Sequence, residues 1–371
     1  MMERIYLDNN ATSIMDPQVA ELMIDFLKNS TSHNPSSIHT DGRKARGAME
    51  EARSRVAHSL AIDLYKDDLQ IIFTSSGTEA NNLVIHNFKH LKLFVSATEH
   101  VSIIDGGHPD QTIIPVDNNG LIKPEDLTNL LKSHPGTKLV SIMLANNETG
   151  VIQDIKSLSE AAHKEGAIFH CDGSQAFGKI KVAFNDLGCD LLTISSHKCG
   201  GPVGAAALIA KKNLKLTSLI KGGKQEQGLR AGTENLLAIT GFGLAAQHCN
   251  EKIKQFEQIS ILHNEMEQEI LNFAPEAIIY GSKAPRLPNT SSIRMPNVKS
   301  EEQLIKFDLA GISISAGSAC SSGRIASSHV LKAMHVDEVK ANEVIRVSLG
   351  LNTTKEQIKR FIELWKEIYK K

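Results

Sequence analysis

The 371-residue sequence has no excess of either charge: 41 Lys and Arg stand against 42 Asp and Glu. Without a global field there is nothing to draw nucleic acid or an anionic membrane to the chain, so neither is expected as a partner and recognition must be local. No apolar run approaches the ~18 residues that suggest a membrane-spanning helix. The first residues, MMERIYLDNN, carry Glu3 and Arg4 where a secretory signal has its apolar core, so a cytoplasmic protein is expected. The five cysteines, Cys171, Cys189, Cys199, Cys249 and Cys320, are an odd set with no C-x-x-C spacing. That pattern argues against a disulfide framework and against a structural zinc site, and no metal is expected. Internal repeats and low-complexity linkers are also missing.

What is present is an alternation of short apolar runs with helical patterns. The runs 69–74, 92–96, 111–116, 138–144, 167–171, 190–194 and 205–209 read as strands. Helix signals lie between several of them, at 124–133 opening on Pro124 and at 155–165 closing at Gly166. This predicts an α/β protein with a mostly parallel, seven-stranded sheet covered on both faces, whose ligands collect at the carboxyl ends of the strands. A long helical stretch over 234–272 leads into a region with fewer strands (277–280, 290–295, 312–315, 343–348) and closing helices at 326–334 and 354–369. The expected division is a large α/β domain over 16–233 and a smaller α+β domain of 1–15 plus 234–371, joined by the long helix.

Five segments carry candidate chemistry. TSSGTEANN (74–82) turns from strand to helix at Gly77 and Thr78, where backbone N–H groups, a hydroxyl and the helix dipole favour an anion. SSHKCGGP (195–202) puts Lys198 at a strand end, where desolvation favours a neutral, nucleophilic amine. HCDGSQ (170–175) ends a β run in Asp172, a residue equally suited to pairing with a cofactor's protonated ring nitrogen and to capping a helix. TEHVS (98–102) places His100 just past a strand, suited to stacking and proton relay or to a plain structural hydrogen bond. SAGSACSSG (315–323) carries Cys320 among small residues, as an accessible nucleophile on a mobile arm requires. Cys171 and Cys189 sit in or beside strand runs and are expected to be packed, while Cys199 stands as a second accessible thiol, ranked below Cys320.

Taken together and in this order, these segments resemble the class V aminotransferase superfamily and, within it, the cysteine desulfurases of the NifS and IscS type. The resemblance runs from YLDNNAT (6–12) and NPSSIH (34–39) through NNETG (146–150) and GGKQEQGLRAGTEN (222–235) to IRVSLG (345–350). It implies the fold of type I pyridoxal-phosphate enzymes, with pyridoxal 5'-phosphate as cofactor. By this similarity Lys198 holds the cofactor covalently, Asp172 pairs with its ring nitrogen, His100 stacks on the ring and assists proton transfer, and Gln175 meets its phenolic oxygen. Gly77, Thr78, Ser195 and His197 match phosphate-contacting positions, and Thr233 matches one supplied by a neighbouring subunit, which implies a homodimer. Asn147 is implied near cofactor and substrate, and Arg346 as the partner of the substrate carboxylate, a task suited to its fork of donors.

The implied reaction converts L-cysteine to alanine and leaves the sulfur on Cys320 as a persulfide. Delivery to an iron–sulfur scaffold protein or a tRNA-thiolation relay is the implied fate. GSACSSG resembles the group of these enzymes with a longer, mobile catalytic loop, which favours cysteine over selenocysteine as substrate. Another pyridoxal-phosphate aminotransferase or lyase would keep Lys198, Asp172 and His100 but has no need of Cys320. A non-catalytic sulfur-relay protein has no need of Lys198 or Asp172. Two departures from the family pattern are Val203, where a basic residue is common, and a shortened stretch between Asn82 and Asp117.

Overall fold

The computed structural model describes residues 4–29, 33–107, 109–317 and 328–370. Among them the strands are β1 (Ile5–Tyr6), β2 (Leu69–Thr74), β3 (Lys92–Ser96), β4 (Thr112–Ile114), β5 (Lys138–Ser141), β6 (Ala167–Asp172), β7 (Leu191–Ser195), β8 (Ala206–Lys211), β9 (Ile278–Tyr280), β10 (Thr290–Arg294), β11 (Ile312–Ser313) and β12 (Val344–Ser348). The seven runs expected between 69 and 211 form one sheet in the order β2-β8-β7-β6-β5-β3-β4. Their near-continuous apolar character follows from burial on both faces; every residue of β5 and β7 is buried.

The sheet is mostly parallel. β4, β3, β5, β6 and β7 run the same way. β8 is antiparallel to both β7 and β2, so β2 regains the common direction. The carboxyl ends of β2, β3, β5, β6 and β7 therefore emerge along one edge. β5 ends earlier than its apolar run: the N–H groups of Ile142 and Leu144 still donate to His170 and Asp172, but the chain bends away to carry Asn147 over that edge.

Helices cover the sheet where their ends are well defined chemically. Gly77–Phe88 begins at Ser76, whose hydroxyl accepts from the Glu79 N–H at 3.1 Å. Ile155–Lys164 is capped by Asp154 and stops before Gly166, which takes φ +69°. Thr40–Ser59 packs against the N-terminal half of Leu236–Phe273, and the approach is close because Gly243 faces Ala52: a Cβ on Gly243 would lie 2.6 Å from the Ala52 Cα.

Leu236–Phe273 has 38 residues and spans about 57 Å. Its first half gives Ala238, Phe242, Ala246 and Cys249 to the core around the large sheet. Its second half gives Phe256, Ile259, Met266 and Ile270 to a separate core with Phe307, Phe361 and Trp365, in which the Phe307 and Phe361 rings stack at 4.9 Å. That core carries the antiparallel sheet β12-β10-β9 and the parallel pair β1-β11. From β1 the chain bridges to Ser348 at Asp8 and then crosses to the edge of the large sheet, where the Ser13 N–H donates to the His197 carbonyl. Among the described residues no helix is long and apolar enough to cross a membrane.

Candidate active site

A cavity of about 310 Å³ opens at the carboxyl edge of the large sheet. Gly77 and Thr78 reach it from the helix after β2, His100 from the segment after β3, Asn147 from beyond β5, Asp172 and Gln175 from the end of β6, and Ser195, His197 and Lys198 from β7. Arg346 enters from β12 in the other sheet. Ten of the residues singled out from the sequence are thus brought together. Thr233 is exposed and does not line the cavity. Cys320 lies outside the described residues; Gly317 and His329, which are described on either side of it, both line the cavity.

The buried end of the cavity is an anionic pocket. Asp172 is 6 % exposed; its Oδ1 accepts from the Ser174 N–H at 2.9 Å and its Oδ2 from Asn81 Nδ2 at 2.8 Å. Burial pushes its pKa up, but the hydrogen bonds from Ser174 and Asn81 and the nearby His100 outweigh it, so the carboxyl stays below its usual value. Glu99, fully buried beside it, is pushed the other way by burial and by the Asp172 charge; it accepts from the Met143 N–H. The same surroundings thus hold the Asp172 carboxyl below its usual value and push that of Glu99 well above it.

Lys198 follows β7 on a short 3-10 turn and faces two cavities at once, this one and a larger one of about 430 Å³ on its other side. Burial lowers its pKa, Asp172 raises it and Arg346 lowers it again, with a net fall. The amine makes no side-chain hydrogen bond among the described residues, as a nucleophile awaiting a partner requires. His100 acts as the cap of the turn that follows, its Nδ1 accepting from the Ser102 N–H at 3.2 Å, while the ring still lines the cavity. Burial depresses its pKa. The structural and functional readings of Asp172 and His100 are thus compatible: each forms a local turn and faces the site.

The Ser195 hydroxyl is buried with no partner among the described residues, and it neighbours Gly77 at the first turn of Gly77–Phe88. His197 is held by Thr12 at 3.1 Å and driven down to about 4 by burial and by Lys198, so it is neutral. Arg346 donates from Nη2 to Asp8 at 2.7 Å and from Nη1 to the Asn147 carbonyl at 3.2 Å, and its Nε is buried without a partner.

Two expectations about cysteines meet different outcomes. Cys171 and Cys189 are packed, and burial pushes the Cys189 thiol up to about 12. Cys199, expected to be accessible, is 5 % exposed and turns its thiol to the Ser196 carbonyl at 3.2 Å, because the chain after Lys198 folds inward against Leu236–Phe273. Sequence reading passed over Asn81, Ser174, Glu99 and Asn10. Asn81 was within reach: it lies one helical turn after Gly77 and Thr78, so its side chain shares their face. Asn10, whose carbonyl accepts from Gln175, comes from the distant N-terminal segment, where YLDNNAT carried the family resemblance but nothing local pointed to Gln175.

A lysine at a strand end, a buried ionised carboxylate and an unpartnered hydroxyl at a helix N-terminus, on a mostly parallel seven-stranded sheet, define a pyridoxal-phosphate enzyme of fold type I. The chain belongs to the class-V aminotransferase family, whose model matches residues 5–361. It is 39% identical over 384 residues to a cysteine desulfurase IscS of Dictyoglomus turgidum, an alignment covering 100% of this chain and 96% of that one. Among solved structures it matches a NifS-like protein from Rickettsia africae with 42% identity and a TM-score of 0.94, each chain covered in full at 100%. It also matches SspA in complex with cysteine, with 27% identity and a TM-score of 0.78 over 94% of this chain and 100% of that one. The cofactor of the family, pyridoxal 5'-phosphate, fits the donor set: the orphaned Ser195 hydroxyl suits its phosphate and the ionised Asp172 its ring nitrogen.

Proposed function

We propose that this protein is a cysteine desulfurase that converts L-cysteine to L-alanine and carries the sulfur on Cys320. The observation that carries this reading is the single cavity joining a depressed-pKa Lys198, the ionised Asp172 and Arg346, in a chain whose full-length relatives are named cysteine desulfurases. When bound, pyridoxal phosphate supplies an electron sink for charge left at the substrate α-carbon.

The chain's own groups do the rest. Lys198, its pKa lowered by burial, would hold the cofactor and would supply an amine able to move the α-proton of the substrate. Asp172 would pair with the ring nitrogen and favour its protonated form, Gln175 would meet the phenolic oxygen, and His100 would stack on the ring and assist proton transfer. Ser195, His197, Thr78 and the Gly77 N–H would hold the phosphate, and Thr233 of a second subunit would complete that set in a homodimer. Arg346, its Nε still unpaired, binds the substrate carboxylate together with Asn147. The Cys320 thiolate attacks the substrate sulfur: an S–S bond forms, the C–S bond breaks, and its electron pair takes a proton at the β-carbon to give alanine. The resulting persulfide passes to an iron–sulfur scaffold protein or a tRNA-thiolation relay in the cytoplasm.

The test is Lys198→Ala. Loss of both the visible cofactor band and alanine formation from L-cysteine is expected; turnover surviving the substitution would overturn the assignment of Lys198.

A further inference from the structure

Lys179 stands where a lysine is costly. It is 3 % exposed, and its hydrogen bonds among the described residues go only to neutral amide oxygens, Asn10 Oδ1 at 2.7 Å and Gln175 Oε1 at 2.9 Å. The charges that act on it are positive: after burial itself, Lys198 and Arg346 depress its pKa well below the ordinary lysine value. A buried amine without a carboxylate is expensive, and such groups concentrate at sites where they have a task.

The task is visible in what it touches. An amide side chain can present either its oxygen or its NH₂ to a neighbour, and the neighbours decide. Gln175 gives one N–H to the Asn10 carbonyl at 2.9 Å, and its oxygen is taken by Lys179. The second N–H has no partner among the described residues, and Gln175 lines the cavity. Lys179 also donates to the Asn10 side chain, so it contacts both the Gln175 amide oxygen and the residue that receives the Gln175 N–H.

We propose that Lys179 is a positioning residue: by donating to Gln175 Oε1 and Asn10 Oδ1 it locks the Gln175 amide with an N–H turned into the cavity, so that the phenolic oxygen of the cofactor meets a donor and never a carbonyl oxygen. This rests on the reading of the cavity as the pyridoxal-phosphate site. A donor at that oxygen stabilises its anionic form, and the visible absorbance of the holoenzyme reports the corresponding proton equilibrium.

The experiment is a pH titration of the visible band in wild type, Lys179→Met, Gln175→Met and the double variant, with cofactor release measured alongside. Lys179→Met is expected to raise the midpoint by about one pH unit, a tenfold change in the proton equilibrium. The double variant is expected to shift no further than Gln175→Met alone, because Lys179 acts through Gln175. Lys179→Gln, too short to reach Oε1, supplies the same measurement if methionine prevents folding. A lysine variant that titrates like wild type while Gln175→Met shifts, or a double variant whose shift is the sum of the single ones, overturns the inference. Wild type that takes up no cofactor overturns the site reading itself, and the inference with it.

Discussion

Asparagine at position 172 keeps the shape of the aspartate and removes its charge. In the native site the two carboxylate oxygens each accept one hydrogen bond, from the Ser174 N–H at 2.9 Å and from Asn81 Nδ2 at 2.8 Å. An amide has one oxygen, so one of these donors is left facing an NH₂ group. Hydrogen bonds to charged groups contribute about 1.5–3 kcal/mol, and Asp172→Asn is expected to cost about 2 kcal/mol of stability. The chemistry loses more than the fold. In the proposed mechanism the ionised carboxylate would keep the ring nitrogen protonated, and about 3 kcal/mol of lost stabilisation is roughly a hundredfold in rate. The assay is kcat/KM for alanine release from L-cysteine, normalised to bound cofactor, with urea denaturation of the same samples. A variant with full cofactor content and wild-type kcat/KM would refute the role given to Asp172.

Glu267 offers a test of the electrostatics away from the site. It is held at about 2: burial opposes ionisation, but hydrogen bonds from Arg286 and His263 prevail. A carboxyl depressed on folding stabilises the protein above its unfolded pKa of about 4.5 and loses that contribution as pH falls through about 2. Glu267→Gln should therefore lower stability at pH 7 by on the order of 3 kcal/mol and flatten the acid limb of stability against pH, read by denaturant titration. Cys199→Ala should leave alanine and sulfide formation within about twofold of wild type, since its thiol is buried against the Ser196 carbonyl. A loss of sulfide release in that variant alone would move the sulfur carrier from Cys320 to Cys199.

The large sheet was legible because its strands are short, apolar and buried on both faces, so composition and length alone set them apart from the amphipathic helices between them. Even the reversed direction of β8 follows from the short link 196–205, which leaves little room for a helical crossover. The helix Thr40–Ser59 was not anticipated. Its buried face is Gly42, Ala45, Met49, Ala52, Arg53 and Val56, small residues and a buried arginine where a pattern of large apolar side chains would have announced it. Arg53 is buried because Glu226 meets it at 2.8 Å, a partner remote in sequence.

The site divides along the same line. Residues at strand ends stood out because their motifs are local, from Gly77 to Lys198. The groups that orient them do not: Asn10 reaches Gln175, and Asp8 reaches Arg346, only after β1 has paired with β11 some three hundred positions away. The inward fold of Cys199 was hidden for a related reason, since the helix that covers it begins far downstream at Leu236.

The most direct measurement is the yield of alanine and sulfide from L-cysteine by wild type and by Cys320→Ser, both saturated with pyridoxal phosphate. Equal amounts of the two products from wild type, with neither a persulfide nor sulfide from the variant despite an unchanged visible band, are the predicted result. A variant that releases alanine and sulfide as fast as wild type would contradict the account, and would leave a pyridoxal-phosphate enzyme whose sulfur chemistry does not run through Cys320.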